Sequence, residues 1–116
     1  MKNDTEEKIR QLQLAEQGMQ ALFAQKQNLQ MQLMEIDTAL KGLEDTKEAY
    51  RIVGNVMILA DSAALKEDLK SKKETTELRI RSFEKQEKAT RERAEAIQKE
   101  VLEGMKNDDK TGRQES

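Results

Sequence analysis

From Leu12 onward, apolar residues return at alternating steps of three and four. Leu12, Met19, Lys26, Leu33 and Leu40 share heptad position a, and Ala15, Leu22, Leu29, Ile36 and Leu43 share position d. Lys26 is the single polar residue in that set, and Gln, Lys and Glu fill most of the positions between. A repeat of this kind predicts a coiled-coil helix and argues against a strand. Lys26 is expected to lay its methylenes along the seam with its ammonium in water. Gly18 costs about 1 kcal/mol of helix stability without shifting the register. Asp4-Thr5-Glu6-Glu7 places a capping residue and acidic side chains where a helix N-terminus favours them, so the helix is expected over about residues 5 to 45.

A second helix is predicted from about Ser62 to Met105, with Asp61 as its N-cap and Glu67 and Asp68 in its early turns. Leu65, Leu69 and Thr76 lead by irregular spacing into a register with Ile80, Glu87, Ala94 and Val101 at a, and Phe83, Thr90, Ile97 and Gly104 at d. Polar residues interrupt this seam, so the helix depends on a better partner, and the first helix is one in cis. The expected fold is mainly α, an antiparallel two-helix coiled coil with arms of about 60 Å at about 1.5 Å rise per residue.

The reversal between the helices reads differently. After the connector Glu44-Asp45-Thr46-Lys47-Glu48, Tyr50 to Val53 and Val56 to Leu59 are two β-rich runs flanking Gly54-Asn55. Gly54 supplies the positive φ that the first central position of a type II′ turn requires, so these residues predict a β-hairpin. With Gly54 and Asn55 as the loop, Val53 faces Val56 and Arg51 faces Ile58 on one side, while Ile52 faces Met57 and Tyr50 faces Leu59 on the other. Both faces are largely apolar, and a lone two-stranded ribbon is at best marginal in water. Burial inside a monomeric core is the alternative, but the chain has little other core to offer. Ile52, Val53, Gly54, Val56, Met57, Ile58 and Leu59 are therefore the candidate oligomerisation element.

Composition points the same way. Of 116 residues, 38% are charged and 35% hydrophobic, a mixture typical of long exposed helices. The absence of Cys excludes a disulfide scaffold and a Cys-ligated zinc site, and the formal net charge of -2 gives no pull toward nucleic acid or anionic membrane. The longest apolar run, Val56 to Ala60, is far short of a membrane span, and no signal-like apolar stretch follows Met1-Lys2. A soluble, cytoplasmic chain of one domain, residues 1–105, is expected, with a disordered tail over 106–116 where no apolar residue occurs.

Candidate chemistry is mostly negative. None of the glycines forms a phosphate-cradling loop, and without His or Cys the usual general base, thiol nucleophile and transition-metal ligands are missing. Asn107 to Gly112 resembles the start of an EF-hand loop, but the first ligand is Asn and the closing Glu would lie beyond Ser116. The chain is read as a non-enzyme with no cofactor and no metal. The basic residues of the second helix alternate with Glu74, Glu77, Glu84, Glu87, Glu92 and Glu95, a salt-bridge-laced surface rather than a nucleic-acid face.

A few apolar residues fit neither seam nor hairpin. Ile9, Leu14 and Phe23 on the first helix, with Leu102 and Met105 on the second, lie outside a and d or at the frayed end of the seam. Ordinary scatter of exposed apolar residues is one account. The functional account is a sticky tip, with Ile9, Leu12, Leu14, Leu102 and Met105 gripping hydrophobic segments of other proteins.

The heptad helix, the segment Tyr50-Arg51-Ile52-Val53-Gly54-Asn55-Val56-Met57-Ile58-Leu59 and the return helix after Asp61 together resemble the prefoldin beta-type subunits. The resemblance covers nearly the whole chain, and the Tyr-x-x-Val-Gly element followed by an aliphatic run is its most specific part. It implies a subunit of a hexameric, ATP-independent holdase in which hairpins assemble into an oligomeric β-barrel platform and six coiled coils hang below. Two alpha-type subunits with four of the beta type are implied as partners, along with unfolded client proteins and a group II chaperonin. The single hairpin fits the beta type. Asn55 stands at a turn position where the family often has Pro or Thr, and Asn suits the turn equally. A plain oligomeric coiled-coil adaptor or spacer is the competing reading.

Overall fold

The computed structural model describes the backbone of residues 2–115 and the side chains of residues 4–107. Four elements follow one another: α1 (Lys2–Leu43), β1 (Glu48–Val53), β2 (Val56–Asp61) and α2 (Ser62–Glu115). This is the expected architecture of two long helices with an antiparallel hairpin between them. The chain divides into two compact units, one of Met1–Gln25 with Phe83–Ser116 and one of Lys26–Ser82.

In the unit Lys26–Ser82, the heptad pattern of α1 reads directly as burial. Lys26, Leu29, Leu33, Ile36, Leu40 and Leu43 are buried or half-buried, and every residue between them is exposed. Leu29 and Ile80, at 7% exposure each, are the apolar residues most removed from water in this unit. On α2 a single row of inward residues runs through Leu65, Leu69, Lys73, Thr76 and Ile80, with Ser62, Lys66 and Glu77 beside it also buried or half-buried. The irregular spacing therefore has a simple form, two steps of four in a row, and the residue that completes it is Lys73. Thr76 is buried, and its hydroxyl donates to the Lys72 carbonyl at 2.7 Å, so its polar atom is satisfied within the helix.

In the other unit, Leu12, Ala15, Met19 and Leu22 of α1 are half-buried, as are Phe83, Thr90, Ala94, Ile97 and Gly104 of α2, with Glu87 and Val101 buried. Gly104 lets the start of α1 approach closely, since a Cβ there would lie 3.3 Å from Thr5 Oγ1. The Lys8 ammonium pairs with Glu100 at 3.4 Å. These contacts make the helix segments of this unit antiparallel.

The hairpin register is the one the turn residues predict: Tyr50↔Leu59, Arg51↔Ile58, Ile52↔Met57 and Val53↔Val56. Gly54 has φ 61° and no other residue type takes a positive φ among the described residues, the signature of a type II′ turn at Gly54-Asn55. The strands begin and end further out than expected, at Glu48 and Asp61.

Helix ends depart from expectation in three places. α1 begins at Lys2, so Asp4 lies in its first turn, still at the end where a negative charge is favoured. Asp61 closes β2 and the helix starts after it, but the residue that ties this junction together is Ser62. Its N–H donates to the Lys47 carbonyl at 3.4 Å, its hydroxyl to Leu43 at 3.5 Å, and it is only 4% exposed. Finally, α2 continues through Glu115, past the end expected near Met105 and through residues read as a disordered tail. The lack of apolar residues after Met105 speaks to packing, not to backbone conformation. Lys, Arg, Gln and Glu in this stretch are good helix formers while Asn107, Asp108, Asp109, Thr111 and Gly112 are poor ones, so propensity is mixed; no Pro intervenes, and a running helix gains a hydrogen bond with each residue added.

Candidate functional site

The hairpin carries most of the exposed large apolar side chains of its unit. Tyr50, Ile52, Val53, Val56, Met57, Ile58 and Leu59 are all exposed, from 49% at Ile58 to 70% at Ile52. Strand alternation puts Ile52 and Met57 on one face and Val53, Val56 and Ile58 on the other, so neither face is covered by the chain's own residues. Only the base is sheltered, where Ala49 and Ala60 are half-buried. Gly54 sits at the apex, and its φ explains why this residue type stands there.

The hairpin is tied to α2 as well as continuous with it. The Arg51 guanidinium donates to the Asp68 carboxylate, 17 residues along the chain. Beneath this pair a crevice of about 360 Å³ opens between Leu43, Leu65 and Leu69 of the helices and Ala49 and Tyr50 of β1. Arg51, Asp68 and Lys72 add charge to its otherwise mostly apolar lining.

The second candidate set lies in the unit of Met1–Gln25 with Phe83–Ser116. Leu14, Leu102 and Met105 are exposed at 60%, 54% and 48%. Ile9 and Leu12 are half-buried, and Leu12 is a seam residue with part of its surface already in use. Five residues separate Ile9 from Leu14, a rotation of about 140° around the helix, so the two project from different sides of α1. Leu14 lines a groove with Ala15, Thr90, Arg93 and Ile97, one wall from each helix. The five side chains share one unit, with Ile9 and Leu14 on different sides of α1.

Sequence reasoning passed over Met31, Met34 and Leu78, which are 62%, 69% and 60% exposed on the helices of the hairpin-bearing unit. They lie outside the seam, and that departure from a and d was the available signal. Phe23, already set apart on that ground, is 52% exposed. Among the described residues no group of three or more His, Cys, Asp or Glu is placed to hold a metal ion. No described helix is long and apolar enough to cross a membrane.

This combination of helices and hairpin is matched by known proteins. A family profile described as prefoldin subunit matches residues 6–107. The prefoldin subunit beta of Methanospirillum hungatei is 35% identical over 107 residues, which is 87% of this chain and 89% of that one. That of Thermococcus onnurineus is 34% identical over 94 residues, 78% of this chain and 81% of its own length. The chain belongs to the prefoldin subunit family.

The fold agrees independently of any motif. The crystal structure of the prefoldin beta subunit from Thermococcus strain KS-1 superposes with a TM-score of 0.81 at 27% identity, covering 86% of this chain and 90% of that one. Prefoldin subunits are chaperone subunits, and the stretch matched to the family includes both candidate surfaces, the hairpin and the apolar residues from Ile9 to Met105.

Proposed function

We propose that the chain is one subunit of an ATP-independent holdase, in which hairpins of several subunits join into a β-barrel platform and unfolded polypeptides are held on exposed apolar side chains of the helices. The observation that carries this reading is the hairpin, with seven large apolar side chains between 49% and 70% exposed on two faces. Burying one such side chain is worth about 1.5 to 3 kcal/mol, so strand pairing with neighbouring subunits is strongly favoured over leaving the ribbon in water. Membership of the prefoldin family supports two alpha-type and four beta-type subunits as the composition, and a group II chaperonin as the recipient of clients.

Holding is assigned to Ile9, Leu12, Leu14, Leu102 and Met105 in the unit that contains both helix ends. Each subunit offers only a few apolar side chains, too little for tight binding after ordering costs. Several subunits around one client raise the effective concentration of the next contact and give avidity without specificity.

The test is suppression of aggregation of unrelated denatured proteins, without nucleotide, by the chain assembled with an alpha-type partner. Replacing Ile9, Leu14, Leu102 and Met105 together with Ser is expected to abolish protection while oligomer size and melting stay near wild type. Wild-type protection by that variant would move holding to other surfaces. Failure of the unsubstituted assembly to protect any denatured protein would favour the adaptor reading.

A further inference from the structure

A groove in the unit Lys26–Ser82 has a character unlike the rest of this acidic chain. Its volume is about 490 Å³, and its walls carry Lys66, Lys70 and Lys73 from α2 and Asp37, Lys41 and Glu44 from α1, with Leu40 also lining it. Four cations against two anions leave a local excess of positive charge, although the whole chain carries a formal net charge of -2.

Asp37 and Lys73 pair at 2.8 Å, and this hydrogen bond and the charge of Asp37 hold the Lys73 ammonium above its ordinary pKa range. That pair bridges the two walls. Lys41 from α1 and Lys70 from α2 line the same groove, so cations face it from both walls. Lys66 and Leu40 are half-buried, so part of each is held in place by the helices.

We propose that this groove docks an acidic, extended segment of a partner protein, with carboxylates at alternate positions and an aliphatic side chain over Leu40. Spacing favours that occupant. Residues four apart on a helix rise by about 6 Å, and alternate residues of an extended chain are about 6.6 Å apart, so two carboxylates on one face of an extended segment meet Lys66 and Lys70 together. A nucleic acid fits less well, because Asp37 and Glu44 lie in the walls and no aromatic side chain is there to stack on a base. The proposal does not depend on holdase activity.

The experiment uses fluorescence anisotropy with a labelled peptide of alternating Glu and Leu, titrated with the assembled protein at low salt. Binding that weakens steadily with added salt is expected, with affinity reduced about tenfold or more by Lys66→Glu with Lys70→Glu. A control pair elsewhere on α2, Lys85→Glu with Lys88→Glu, changes the net charge equally and is expected to leave affinity near wild type. Circular dichroism checks that each variant is folded, and Lys66→Gln with Lys70→Gln replaces the Glu pair if helix content falls. No binding by the wild-type protein, equal losses in the two charge-reversal pairs, or tighter binding of a single-stranded oligonucleotide of the same length would each overturn the proposal.

Discussion

The seam of α1 and the two strands are both rich in aliphatic residues, yet the chain treats them in opposite ways. Leu29 in the seam is 7% exposed, whereas Ile52 in the hairpin is 70% exposed. The seam residues lie on one side of a helix, and one return helix is enough to cover them. The strands display apolar side chains on two faces, and a single pair of helices shelters only the base of one. Apolar sequence alone thus does not say where a core is. What matters is whether the chain has another element that can reach the surface it creates.

The largest effect that would break this contrast is a charge on the ribbon. Ile52→Asp and Ile58→Asp, one on each face, are expected to dissociate the assembled oligomer while most helix content is kept, because a carboxylate in a dry β interface costs several kcal/mol and the intramolecular seam does not pass through either residue. Light scattering and circular dichroism on the same samples check both halves, and native size in both variants would remove the hairpin from assembly.

A smaller effect is expected in the seam, where Leu29→Ala should cost about 2 to 4 kcal/mol. Leu14→Ala, on the same helix at an exposed site, should stay within about 0.5 kcal/mol. Denaturant melts of the pair sharpen the comparison, since equal costs would show that burial is not what separates the two regions. The smallest expected change is Gly54→Ala, at about 1 kcal/mol. Its cost comes from forcing a side chain into the positive φ of the turn, with open space around the added Cβ.

Much of the candidate site was legible because it rests on local rules. Heptad spacing alone marked the residues of α1 that are now buried, and Gly54-Asn55 set the pairing of every residue in the hairpin. Lys73 escaped notice as an inward position because a charged residue does not advertise itself as seam, and its place depends on Asp37 waiting on the other helix. Ser62 escaped for a similar reason. A serine near a helix start predicts a local cap, whereas this one bonds to carbonyls of Lys47 and Leu43, contacts that exist only after the chain has reversed.

By itself the sequence determined the helices, the turn type and the hairpin register, since each follows from periodicity of 3.5 or 2 and from one glycine's freedom at positive φ. Tertiary structure decided what those elements could cover. It joined Arg51 to Asp68 across 17 residues and placed Lys41 and Lys70 on the walls of one groove. Such pairings depend on the alignment of two antiparallel helices, and no local pattern encodes an alignment until both partners are folded against each other.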